Sequence, residues 1–135
     1  MSYRIGSFLA LGVLLVGAAL PYHKALAHHN MTALFDLNDR VTLNGTFTKV
    51  DWRNPHIYLS IEVKNANGQT ETWQIEGPPP SFFRTRDIGK ADFESAIGKP
   101  VTAEASRARD HSLSGLIRTI TLPSGKVVSA CPQNC

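Results

Sequence analysis

From Val41 onward the apolar positions repeat every second residue, and turn residues cut the alternation into short runs. That period is the signature of strands with one buried face, and it predicts a mainly β chain with little helix. The first run, Val41 to Trp52, places Val41, Leu43 and Phe47 on one parity and Val50 and Trp52 on the other. A β-bulge or a sharp bend between Phe47 and Val50 reconciles the two, and Gly45 offers a second place for the strand to coil. Ile57, Leu59, Ile61 and Val63 then alternate with Tyr58, Ser60, Glu62 and Lys64. Asn65-Ala66-Asn67-Gly68 supplies a hairpin turn, and Gln69 to Glu76 returns with Trp73 and Ile75 facing in.

Gly77-Pro78-Pro79-Pro80 stops the sheet. From Ser81 to Ile97 the pattern loosens towards helix, with Phe82, Phe83, Ile88, Phe93 and Ile97 as apolar anchors and Ser81 or Asp92 as the caps to expect. Val101 to Ser106 reads as a fourth strand and Leu113 to Leu122 as a fifth, and Pro123-Ser124-Gly125-Lys126 turns the chain into Val127 to Ser129. Three strands, a helical connection and two further strands is the order of an all-β, five-stranded OB-like barrel, with the helical connection between strands 3 and 4.

The opening residues follow a different rule. Arg4, the apolar run Ile5 to Leu20 and Ala25-Leu26-Ala27 have the three parts of a secretory signal, ending in a small-x-small cleavage site. The apolar run, about 16 residues, falls short of the roughly 20 that span hydrocarbon. The expected organisation is therefore a signal peptide over residues 1–27, an N-terminal arm from His28 to Asp39 with a helical turn around Met31 to Leu37, an OB-like domain over 40–130 and a cysteine tail over 131–135. The mature chain is expected to be secreted or periplasmic, with no membrane span.

Charge changes the picture only after the leader is removed. Arg4 and Lys24 leave with it, and 12 basic residues then face 11 acidic ones. A net charge of +1 gives no electrostatic case for nucleic acid or for an anionic membrane surface. Cys131 and Cys135, in the terminal Cys-Pro-Gln-Asn-Cys, are spaced for a small tail disulfide in an oxidising compartment. A loop that short stabilises little.

The chemistry worth noting lies at the new terminus. Cleavage after Ala27 makes His28 the first residue and His29 the second. A terminal histidine offers two nitrogens, its α-amine and Nδ1, and the amine's ordinary pKa of about 8 makes deprotonation at neutral pH inexpensive. Amine and imidazole suit Cu(II) best among the divalent first-row ions. One more imidazole completes a T-shaped three-nitrogen site, a histidine brace, and it has three sources: His29, His56 or His111. Position favours His56, which shares parity with Tyr58 and Ser60, opposite the core face. Asn54-Pro55 is expected to hold the chain extended before it, with Asp51 and Asn54 near enough to hydrogen-bond the ring. The plain alternative is that His56 bonds a backbone group at the start of a strand.

Other constellations are weaker. No nucleophile elbow surrounds a serine, and no glycine-rich loop opens a helix to cradle phosphate. Asp51 with Glu76 reads as solvated charge sooner than as an acid/base pair. Arg84 with Arg86, and Arg107 with Arg109, read as ordinary charged faces. Trp52 and Tyr58 are placed to stack a ligand as OB folds do, while Trp73 belongs to the core.

Taken together, His28-His29-Asn30, Phe35-Asp36, the run Val41 to His56 ending in Asn54-Pro55-His56, the Trp73 strand leading into Glu76-Gly77, and Thr121 to Gly125 resemble a domain-of-unknown-function family. Its members are small exported bacterial proteins marked by an N-terminal His-His and an Asn-Pro-His motif. The resemblance implies that His28, His29 and His56 belong to a shared pattern, and it brings no activity with it. Two departures stand out: Arg86-Asp87-Ile88-Gly89 replaces a Gly-Trp of the family, and His111 stands where the family has Gly, which argues against His111 as a shared ligand.

Two functions follow as expectations. The first is a periplasmic copper-binding protein that sequesters or delivers the ion through His28, His29 and His56. An oxidase built on the same brace is its enzymatic variant, but nothing marks a substrate site and an enzyme is not expected. The second is an OB-type binding module for a periplasmic protein or a small ligand, using the aromatic and arginine surface without metal.

Overall fold

Alternation decides which side of each strand is buried, and the computed structural model, which describes residues 31–130, follows it closely. In β2 (Ile57–Lys64) the side chains of Ile57, Leu59 and Ile61 are fully buried, while Tyr58 and Ser60 face outward. Its hairpin partner β3 (Thr70–Gly77) buries Trp73 and Ile75. The turn between them is held by Asn65, whose Oδ1 accepts the Asn67 N–H at 2.9 Å and the Gln69 N–H at 3.0 Å. Gly68 there has φ 77°, a backbone conformation glycine adopts without steric cost.

The first strand is longer than its hydrophobic pattern. β1 (Phe35–Asp51) begins inside the segment expected to be an arm, of which only a helical turn, α1 (Met31–Leu34), remains outside the sheet. Phe35 is buried and pairs with Ala108, but Phe35 and Leu37 are followed by Asn38, Asp39 and Arg40, and two apolar positions are too short a run to announce a strand. The parity switch after Phe47 is a register shift against β2 between Phe47 and Lys49. Thr48 is the extra residue, and its hydroxyl donates to the Ser60 carbonyl at 3.2 Å.

β4 (Pro100–Ala108) and β5 (Ser114–Thr121) follow the helical connection, and β6 (Val127–Ser129) pairs with the end of β5. The molecule is mostly β, a six-stranded sheet in the order β3-β2-β1-β4-β5-β6. All neighbours are antiparallel, and an additional parallel pairing of β3 with β5, Gln74–Glu76 against Ser114–Leu116, closes the hydrogen bonding into a ring. β1 serves two partners: its first part pairs with β4 and its last part with β2, and Gly45 is opposite Val101 on one side and Val63 on the other.

The connection between β3 and β4 holds two short helices where one longer helical region was expected, α2 (Pro80–Arg84) and α3 (Lys90–Glu94). Proline opens the first, so no serine cap forms at Ser81 and the preceding residue is Pro79. Asp87, at φ 53°, separates the two helices. Their aromatic faces lie on the core. Phe83 and Phe93 meet edge to face at 5.6 Å, and Trp52 packs on both, at 5.5 and 5.6 Å between centroids.

Asp92 caps α3 as expected, by accepting the Gly89 N–H at 2.8 Å, and also takes an ion pair from Lys126 at 3.2 Å. The Gly89 N–H, more than Lys126, holds the Asp92 carboxyl below its usual range. A carboxylate whose pKa is depressed by folding contributes stability above its unfolded pKa of about 4, and that contribution is lost as pH falls through the folded value. Asp92→Asn is therefore expected to cost about 1 kcal/mol near neutral pH, with the gap from wild type closing below about pH 4. Urea unfolding at pH 7 and pH 3 checks it, and a gap that does not change with pH rules out this role for the ionised carboxylate.

Candidate metal site at His56

His56 stands one residue before β2, and the hairpin register decides what faces it. Ile57 is opposite Gly77 and Tyr58 is opposite Glu76, while β1 places Asp51 opposite Tyr58. Asp51, Tyr58 and Glu76 therefore form one cross-strand row on the outer face, and β5 extends it with Leu116 beside Glu76. The His56 ring reaches the β3 end of this row. Its Nδ1 lies 3.1 Å from the Gly77 carbonyl oxygen and 3.4 Å from Glu76 Oε1, with the two side chains only 20% and 15% exposed.

Both neighbours of Nδ1 are acceptors, which is the arrangement that an Nδ1–H would satisfy. Metal-binding histidines are commonly held this way, with the second ring N–H donated to a carboxylate or a backbone carbonyl. Gly77 is what permits the approach of β3. A Cβ at that position would sit 2.9 Å from Ile57 Cγ1 and 3.3 Å from Ile117 Cγ2.

The extended segment expected from Asn54-Pro55 is not formed: the peptide is cis, and the two residues bend the chain between β1 and β2. Asn54 is exposed on that bend. The Asp51 carboxylate meets Arg53 Nε at 3.2 Å, and the Arg53 guanidinium lies 5.5 Å from the Tyr58 ring centroid. Burial raises the Tyr58 hydroxyl above its usual pKa, and the charge of Glu76 adds to the rise. The carboxylate resolved against the histidine is thus Glu76, which sequence reasoning named only as half of an acid/base pair. Its signal was available, because counting back from Asn65 and Gly68 pairs Glu76 with Tyr58.

His28 and His29 lie outside the described residues, as do Cys131 and Cys135. The structure does fix where the arm enters. Arg109 donates from Nε to the Thr32 carbonyl at 2.8 Å and from its backbone N–H to the Leu34 carbonyl at 2.9 Å, pinning α1 against the turn between β4 and β5. Ala33, Leu34 and Ser114 line one shared surface cavity there. Ser114 and Leu116 are two residues apart on β5, a rise of about 7 Å. The pinned arm and Glu76, with His56 on it, therefore flank the same short stretch of β5.

His111 is an exposed loop residue at φ 60°, as expected. Among the described residues no group of three or more His, Cys, Asp or Glu is arranged to hold a metal ion. Several residues of the surface expected for a binding module make contacts within the chain. Trp52 packs on Phe83 and Phe93, and Trp73 is core. The Arg86 guanidinium stacks 3.7 Å from the Phe82 centroid, and Arg107 and Arg109 pair with Asp39 at 3.5 Å and Asp36 at 3.3 Å.

A family model described as a family of unknown function, DUF6152, matches residues 15–118. No curated protein and no solved structure matches the chain. Among the described residues no helix is long and apolar enough to cross a membrane.

Proposed function

We propose a function on chemical grounds, because the chain belongs to the DUF6152 family, whose function is unknown: an exported, periplasmic protein that binds copper for sequestration or delivery. The α-amine and ring of His28, with His56 or His29, supply the nitrogens. One observation carries the reading, the His56 Nδ1 set 3.1 Å from the Gly77 carbonyl oxygen and 3.4 Å from Glu76 Oε1, the arrangement by which metal-binding histidines are commonly oriented. The donor chemistry fits copper, since amine and imidazole together favour Cu(II) over the other divalent first-row ions. The strand ring β1-β2-β3-β5-β4 with a helical connection after β3 supports an OB-like barrel as the scaffold. On this reading the leader's removal creates the site.

The test is the intact mass of the exported protein, followed by Cu(II) titration of that material with an EPR spectrum. A chain beginning at His28 that takes one Cu(II) through nitrogen ligands supports the proposal. Placing three glycines before His28 is then expected to remove that binding, because the amine no longer belongs to a histidine and no histidine stands within the first three positions. If the extended and native chains bind copper equally, or the chain begins elsewhere, the brace is wrong and the metal-free binding module takes its place.

A further inference from the structure

We propose that Asn67 is a site of spontaneous modification, converted to aspartate and isoaspartate through a cyclic imide, and that Asn65 sets its rate. The inference is independent of the copper reading. Asparagine followed by glycine is the pair most prone to this reaction, because glycine has no side chain to hinder its own amide nitrogen. The chain has two such pairs, Asn44-Gly45 and Asn67-Gly68. Exposure does not rank them, since both asparagines are exposed.

The backbone separates the two. The glycine nitrogen must swing onto the asparagine Cγ, so the chain has to turn at that peptide. Asn44 lies within β1 opposite Thr102 of β4, and its Oδ1 accepts the Thr102 hydroxyl at 2.8 Å. Gly45 after it is paired with β2 and β4 at once. Asn67 lies instead in the turn between β2 and β3, where Gly68 is already at φ 77°. A hairpin tip opens locally at a small free-energy cost, whereas a doubly paired strand opens only with its sheet.

The reaction at Asn67 needs only water. The Gly68 nitrogen gives up its proton to solvent base and bonds to Asn67 Cγ, while the Cγ–Nδ2 bond breaks and its electron pair leaves with the nitrogen as ammonia. Water then opens the ring at either carbonyl, which leaves a carboxylate on a normal or a lengthened backbone. The turn itself restrains the first step. The Gly68 N–H is donated to the Asn65 carbonyl at 2.9 Å, and Asn65 Oδ1 holds the turn closed by accepting the Asn67 and Gln69 N–H groups at 2.9 and 3.0 Å.

The experiment incubates the whole protein at pH 8, folded and in urea, as wild type and as Asn65→Ala, and follows both asparagines by peptide mass mapping with an isoaspartate assay. The urea sample supplies the unprotected rate of each pair. In the folded wild type Asn44 is expected to be slowed, relative to urea, about tenfold or more beyond Asn67. Asn65→Ala is expected to speed Asn67 about threefold or more while Asn44 stays as slow as before. Equal protection of the two pairs, or reaction of Asn67 in urea alone, overturns the site. An unchanged Asn67 rate in folded Asn65→Ala overturns the role of Asn65. A rise at both pairs overturns that role too, because the substitution then opens the whole sheet and not the turn.

Discussion

Gly45→Ala is expected to destabilise the protein by about 3 kcal/mol, a drop of roughly 15 °C in the thermal midpoint for a domain of this size. The reason is local and steric. Gly45 is where β1 is paired on both sides at once, with Val63 of β2 and Val101 of β4. A methyl group there would be driven into the backbone carbonyl of Glu62 and would lie 3.0 Å from Ile61 Cγ2. Neither neighbour yields easily. The carbonyl belongs to a strand locked by Thr46 opposite Glu62, and Ile61 is fully buried. Gly68→Ala is the useful contrast, because no atom lies within 4 Å of the added methyl and the cost there comes only from φ 77°. That variant should lose about 1 kcal/mol. Urea unfolding of the two variants beside wild type decides the matter, and a Gly45→Ala protein as stable as Gly68→Ala would mean that β1 is not clamped between its two partners.

Gly45 also illustrates what a period-of-two pattern conveys. The parity switch from Phe47 to Val50 called for a bulge or a sharp bend between them, and the structure has the register shift there, between Phe47 and Lys49. The Asn65 hairpin and the aromatic anchors Phe83 and Phe93 were legible for the same reason: each has local chemistry that one structure satisfies. Phe35 was not legible, since its strand is held by pairing with β4 and not by alternation. The split into α2 and α3 was hidden because the apolar anchors from Phe82 to Ile97 read as one helical region, which Asp87 interrupts at positive φ. At the site, His56 stood out by its side-chain chemistry, but Glu76 did not. The turn at Asn65 to Gly68 sets Glu76 opposite Tyr58, but the bend at Asn54-Pro55 just before His56 is a backbone feature that residue spacing does not carry.

The role of Glu76 can be separated from that of His56 by copper affinity. His56→Ala removes a nitrogen ligand and is expected to lower Cu(II) affinity by about 100-fold or more, whereas Glu76→Gln keeps a carbonyl acceptor near Nδ1 but removes its charge and should cost about tenfold. The Gly77 carbonyl, at 3.1 Å, continues to hold the tautomer in that variant, which is why the smaller loss is expected. If Glu76 acts through the ring, its effect must vanish once the ring is gone: Glu76→Gln in the His56→Ala background should leave the residual affinity unchanged. A tenfold loss that persists without His56 would mean that Glu76 acts through its charge on the copper ion directly. A His56→Ala protein that is folded and binds Cu(II) as tightly as wild type removes His56 from the site and leaves His29 to supply the third nitrogen. The pair of substitutions perturbs little else. Glu76 sits on the outer face of β3 and His56 one residue before β2, and the neighbouring residues that point inward, Ile75 and Ile57, are fully buried.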